Sequence, residues 1–445
     1  MATSSLDSRP VRGKRIPANR PERTVPATGA MCHALALAAR RLAGVLAGQS
    51  LAQHSVAQEP EHLRGQVHEI LYGTLRRYGE GDAILTHFVD RELDPNVRAL
   101  LLVALYRLVT SPDESHTVVN QAVDAAPLAD CGKAGGLINA VLRNYLRQKD
   151  RVMLAVRANP AVAAAHPMWW LERMQGAYPD AWPAIVAANN ALPPISIRIN
   201  CRRTTKDELL AKLQAAGVRA ETLTSPFPDA LRLHQPGRID RLPGHAEGLF
   251  SVQDPGAQRA AMILDPQEGE SVLDACAAPG GKAAHLLERA NIRLTALDDD
   301  PARCELIHDT LNRLGLSARV LCGDAGRPDQ WQDEKEPTQY DRILVDVPCT
   351  ASGVVRRHPD AKWLRRPTDI SSFGRQQARI LQALWPLLKS GGRLLYATCS
   401  VFPEENNSRI SAFIAATPDA RCESEEQWLP SPDCDGFYYA LLVKA

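Results

Sequence analysis

The sequence predicts a multi-domain protein: an all-α helical domain, a small α+β module, and a C-terminal α/β domain on a parallel sheet. Three observations carry this reading. Apolar residues recur at three- to four-residue spacings from Cys32 to Asp150. After Pro193-Pro194 that period gives way to short alternating strands. From Ser251 onward strands and helices alternate, which is the pattern of a parallel α/β sheet. The 445 residues exceed one ordinary core, and 45% hydrophobic with 23% charged residues exclude wholesale disorder.

Residues 1–30 read as a mobile basic arm, with six basic residues, two acids and four prolines. Arg40 and Arg41 interrupt the next apolar run, so no secretory leader is read there, although the Arg- and Ser-rich start also fits an organellar transit segment. Residues 31–150 read as a helical bundle. Within it, Asp94-Pro95 supplies an N-cap and first turn for a helix over 97–109, and 134–147 is a second amphipathic helix. Residues 151–250 read as a helical linker, with Trp169, Trp170 and Trp182 as packing residues, followed by an α+β module. That module has a strand over 195–200 and a helix over 205–216. Residues 251–445 form the α/β domain.

Composition narrows the function. The longest apolar run, residues 99–106, is far below the roughly 18 needed to cross a bilayer. Net charge is +1, from 52 basic and 51 acidic residues, so nucleic-acid binding has to come from local patches. Ten cysteines without a CxxC pair argue against a zinc site and against a disulfide scaffold, and for mostly buried thiols in a reducing cytoplasm.

The C-terminal domain carries the chemistry. The strand Ser271–Ala275 runs into Cys276, Ala277, Ala278, Pro279, Gly280, Gly281 and Lys282, then into a helix over 283–289. A turn of small residues there lets a ligand approach the backbone at a helix N-terminus. Asp298 ends the next strand, 293–297, where a carboxylate can accept from both ribose hydroxyls of an adenosine. Asp324 follows the strand Arg319–Cys322, within reach of an adenine amine, and Asp346 ends a fourth strand over 342–346. Neither GxGxxG nor GxxxxGK[ST] is present, so neither a dinucleotide nor a nucleoside triphosphate is favoured.

Cys349 follows the 342–346 strand and Cys399 follows a strand over 392–398, so both thiols lie at carboxyl ends of parallel strands. Either alone fits core packing. Two beside a nucleotide site fit covalent chemistry. C5 of cytosine is too electron-poor to attack a methyl sulfonium unaided, and thiolate addition to C6 makes C5 a nucleophile. An ordinary thiol is only a few per cent ionised at pH 7, so positive or hydrogen-bonding neighbours have to help. Asp346 can meanwhile hold N3 and the exocyclic amine. Arg356, Arg357, His358, Lys362, Arg365 and Arg366, with Trp363 among them, read either as a phosphate-binding and base-stacking segment or as a loop of structural ion pairs.

The motifs DACAAPGGK (274–282), DVPCTASGVVRRHPD (346–360), YATCS (396–400) and PEEN (403–406) resemble the RNA (cytosine-5)-methyltransferase family. HTVVNQAVDAA (116–126) and KAGGLINAVLRN (133–144) resemble the NusB-like domain that its 16S rRNA branch carries. The resemblance covers residues 31–445 and implies a NusB-like RNA-binding domain, an RNA-binding α+β module, and a Rossmann-like S-adenosylmethionine-dependent methyltransferase domain. By position it implies that residues 276–282, Asp298, Asp324 and Asp346 line the S-adenosylmethionine pocket. It makes Cys399 the nucleophile and gives Cys349 a part in release. Val347 departs from the small residue or proline usual between Asp and Pro, a departure that leaves the implied roles of Asp346 and Cys349 intact. The implied partner is 16S rRNA, with no DNA and no membrane, and the implied state is a cytoplasmic monomer. Two other readings are disfavoured by the residues: an RNA-binding or antitermination protein without catalysis, by both cysteines and the complete CAAPGGK turn, and a nicotinamide oxidoreductase on a similar sheet, by the missing GxGxxG.

Overall fold

A computed structural model describes residues 31–51, 59–223, 226–332 and 339–445, so the basic arm lies outside the described residues. The first module is six helices: α1 (Met31–Leu46), α2 (Glu61–Arg76), α3 (Tyr78–Phe88), α4 (Pro95–Thr110), α5 (Ser115–Ala125) and α6 (Gly135–Arg157). Asp94 caps α4, its carboxylate accepting from the amides of Asn96 and Val97, and Pro95 occupies the first helical position, where no N–H is needed. Every residue from Ala99 to Leu105 is buried, so α4 is the central helix. The predicted 134–147 helix runs on to Arg157, because no glycine or proline interrupts the chain before Pro160.

Three short helices follow: α7 (Pro160–Ala164), α8 (Met168–Ala177) and α9 (Trp182–Asn190). Trp170 is fully buried edge-on against Phe402, while Trp169 and Trp182 are half-buried in the same cluster. The small module is β1 (Ile195–Ile199), α10 (Lys206–Ala215), β2 (Arg219–Thr222), β3 (Ala230–His234) and β4 (Phe250–Val252), in an antiparallel sheet of order β2-β3-β1-β4. Thr205 and Glu208 close a reciprocal capping box on α10.

The last module comprises α11 (Pro255–Leu264), β5 (Ser271–Ala275), α12 (Gly281–Arg289), β6 (Arg293–Asp298), α13 (Pro301–Leu314), β7 (Arg319–Cys322), β8 (Tyr340–Asp346), α14 (Ala361–Leu364), α15 (Pro367–Leu384), β9 (Leu388–Thr398), α16 (Asn407–Ala416), β10 (Ala420–Trp428) and β11 (Phe437–Lys444). Its sheet runs β10-β11-β9-β8-β5-β6-β7. Strands β5 to β9 are parallel, but β11 runs antiparallel to both β9 and β10, so the sheet is mixed where a parallel one was predicted. Both faces are covered. Val272 and Leu344 join the cluster under α11, α12 and α13, while Leu273, Ile343 and Val345 join the one under α15 and α16. The chain order reverses between β5 and β8, which opens a crevice at their carboxyl ends.

The modules are locked together by buried polar contacts. Arg198 of β1, fully buried, grips Glu288 of α12 through two 2.8 Å hydrogen bonds and donates to Gly281 O at 2.8 Å. The helical domain is tied by Leu51 N to Asp360 Oδ2 (3.0 Å), Trp363 Nε1 to Leu75 O (2.7 Å) and Arg76 Nη2 to Arg356 O (3.0 Å).

Candidate active site

The turn after β5 is held from below. Cys276 and Gly280 both take left-handed backbone conformations, φ +63° and +94°, a strained choice for Cys276 and an easy one for glycine. Asp298 Oδ2 accepts from Ala278 N at 3.0 Å, Arg303 donates to Ala278 O at 3.3 Å, and Thr310 Oγ1 donates to Pro279 O at 2.7 Å. Asp298 is buried, with Arg303 Nη1 3.3 Å from Oδ1. Asp324 stands one strand further out. Arg379 of α15 takes both its oxygens, at 2.7 and 3.0 Å, which together with the Gly326 amide holds the carboxyl below the usual range.

Asp274, in the middle of the motif, is buried with neither carboxylate oxygen hydrogen-bonded. Burial raises it to about 8, against the pull of Lys282 and with a further push from Asp346 and Asp298. Lys282 turns its ammonium onto Asp346 Oδ2 at 2.5 Å. Burial works against the Lys282 charge, but Asp346, with a contribution from Cys399, outweighs it and the ammonium is raised above the ordinary lysine value.

Beside this pair, Cys349 Sγ and Cys399 Sγ lie 3.4 Å apart. The hydrogen bond with Cys399, then burial, pushes the Cys349 thiol well up. Behind the sulfurs sits a fully buried carboxylate, Glu405. Its oxygens accept from Thr350 N (2.9 Å), Thr350 Oγ1 (2.5 Å) and Ser400 Oγ (2.5 Å), so one side chain ties the residue after each cysteine. Ser352 Oγ closes the network on Ser400 Oγ at 2.9 Å. Glu405 belongs to the PEEN motif, and sequence reasoning gave it no role. Neither did it give one to Asp274.

The structure overturns the RNA-facing reading of residues 356–366. Arg356 is buried against Asp435, Arg357 pairs with Asp435 and Asp254, and Lys362 is fully buried. Trp363 is half-buried, tilted against Tyr78, with its N–H on a backbone carbonyl. Arg365 lies over the Phe373 ring, which leaves His358 and Arg366 as the exposed members. The charges serve ion pairs and domain contacts.

Comparison with known proteins decides the family. The chain is 41% identical over 418 residues to ribosomal RNA small subunit methyltransferase B of Proteus mirabilis, covering 92% of this chain and 98% of that protein. It is 43% identical to the protein of the same name from Vibrio vulnificus, covering 84% and 90%. This chain belongs to the 16S rRNA methyltransferase RsmB/F family. The RsmB/F methyltransferase model matches residues 261–443, the RsmF/B-like ferredoxin-like domain 166–240, and the NusB family 34–147, one match in each module. Among solved structures, PH0851 is similar over 92% of this chain and 99% of its own, with a TM-score of 0.77 and 26% identity. NSun6 from Pyrococcus horikoshii shares the fold over 62% of this chain and 98% of its own, with a TM-score of 0.56 and 19% identity. Among the described residues no helix is long and apolar enough to cross a membrane.

Proposed function

We propose that the protein transfers a methyl group from S-adenosylmethionine to C5 of a cytosine in 16S rRNA through a covalent Cys399–C6 adduct. The observation that carries this is the pair of sulfurs 3.4 Å apart at the ends of adjacent parallel strands. The cofactor fits the site's donor balance, since both oxygens of Asp274 are buried acceptors without hydrogen-bond donors, and a ribose diol and an ammonium supply donors. When bound, S-adenosylmethionine supplies an electrophilic methyl group.

The chain's own residues do the rest. Lys282, kept charged by Asp346, sets a cation beside the sulfur of Cys399. Asp346 keeps 28% of its side chain exposed, enough to meet N3 and the exocyclic amine of a base splayed out of the RNA. Cys349 stays a thiol while its neighbour is anionic. Once Cys399 is bonded to C6 that charge is gone; Cys349 then gives its own proton to water and takes the C5 proton, the C5–H pair re-forms the C5=C6 bond, and the C6–S pair returns to Cys399 as thiolate. Cytoplasmic action on rRNA accords with this reading.

The two cysteines separate the steps. Cys399→Ala should abolish methylation and form no RNA adduct. Cys349→Ala should add and transfer, then stall as a slow-migrating, nuclease-sensitive band on a denaturing gel. The reverse pattern would make Cys349 the nucleophile, and full activity in both variants would remove covalent catalysis by these residues.

A further inference from the structure

Two cations are buried where the helical domain meets the catalytic domain, and among the described residues neither is ion-paired to a carboxylate. Arg76, the last residue of α2, is 8% exposed. Its Nη2 donates to Arg356 O, and its Nε has no partner. Lys362 of α14 is 0% exposed and donates to Ala165 O (2.8 Å), Asn190 Oδ1 (3.0 Å) and Arg76 O (3.4 Å). All of these acceptors are neutral. Beside them opens a cavity of about 450 Å³ walled by Arg76, Arg77, Arg157, Ala165 and Asn190. Glu80 is the one acid among its lining residues, and it is shared by Arg77 at 2.6 Å and Arg157 at 3.4 Å. Three cations of the lining therefore face one anion, with Lys362 buried behind them and bonded to Arg76, Ala165 and Asn190.

Taking charge out of water without a counter-charge is costly, so the arrangement lacks an anion. We propose that this cavity binds a phosphate group, and that the group is a backbone phosphate of the RNA substrate. Guanidinium forks match phosphate oxygens in pairs, which a lone ammonium does not. The volume admits a sugar-phosphate unit. The chain that follows Cys349 reaches Lys362 thirteen residues on, and Lys362 donates to the lining residues Arg76, Ala165 and Asn190, so RNA seated here lies beside the segment that leads from a reacting thiol. The choice of RNA as the source of the phosphate rests on the function proposed above. The presence of an anion site does not.

The test uses the full chain and the double variant Arg77→Gln/Arg157→Gln, whose side chains are 39% and 59% exposed and lie outside the reacting groups. Inorganic phosphate, at ionic strength matched with chloride, should raise the melting temperature of the wild type and do so much less in the variant. Affinity for an rRNA fragment should fall in the variant, and its log–log salt slope should flatten by about 0.7–0.9 for each phosphate that is no longer neutralised. KM for RNA should rise with kcat unchanged. A phosphate-dependent melting shift with an unaltered salt slope would assign the cavity to free phosphate and overturn the RNA source. Absence of the phosphate shift in the wild type would overturn the site. Because that readout needs no turnover, it stays informative even if the methyltransferase chemistry is wrong.

Discussion

Protonation at this site is set residue by residue, through pairing or its absence. Asp274 is buried and has no hydrogen-bond donor, so its carboxyl holds a proton that an exposed one would lose. With a folded value of about 8 against an ordinary carboxylate near 3.9, Asp274 is neutral at pH 7 in the free protein. The folded state holds its proton more tightly, so the stability this gives is lost as pH rises from about 4 to about 8. Asp274→Asn keeps the shape and removes the titration. In cofactor-free urea unfolding at pH 5 and pH 8, the variant should gain on the wild type by on the order of 1 kcal/mol per pH unit. A gap that does not move with pH would place the Asp274 carboxyl in water. That Cys399, Cys349 and Asp346 lie together at strand ends was legible because apolar runs lead into all three. Glu405 was not, since its partners Thr350 and Ser400 meet it only once three loops close around it.

Among the elements, the turns after β8 and β9 have to stay in register for the sulfurs to meet, and a backbone contact fixes them. Gly353 N donates to Cys399 O and Gly436 N donates to Gly353 O, both at 2.8 Å. A Cβ on Gly353 would land on the Gly436 backbone, which has no flexible side chain to move aside. Gly353→Ala should therefore cost roughly 1–3 kcal/mol of stability and separate the two cysteine turns. The measurement is denaturant unfolding together with the yield of RNA adduct in a Cys349→Ala background. Near-native stability with full adduct yield would show that the turns tolerate the shift. The strands leading to these turns were readable to within a few residues from apolar runs alone. The reversal of β11 was not, because direction leaves no mark in a run such as Phe437–Lys444, buried through Leu442. The basic stretch kept two readings for a related reason. Its counter-ions Asp254 and Asp435 lie far away in the sequence, and local charge spacing cannot reveal them.

Over the whole molecule, three modules were visible as changes of hydrophobic period, but the bonds that make them one body were not. Those bonds join residues far apart in the sequence, and Lys362, which donates to two backbone carbonyls and to Asn190 Oδ1, is the most demanding of them. Burial first, and Arg76 second, lower its ammonium to about 7. The unfolded chain, with an ordinary lysine near 10.4, then holds the proton more tightly than the folded one. The penalty is fully present below about pH 7 and fades as pH climbs toward 10.4, so this residue makes stability rise through that window. Lys362→Met removes the titration, although it also orphans three oxygens, so the absolute offset carries no information. The pH dependence of the offset does. In chloride buffer the wild type should gain on the variant by up to about 1 kcal/mol per pH unit between pH 7 and 9.5, read from urea midpoints. A phosphate seated in the neighbouring cavity would hold the ammonium charged and flatten that slope. The same titration in phosphate therefore tests whether domain docking and anion binding draw on one buried charge. Equal slopes in both buffers would show that they do not.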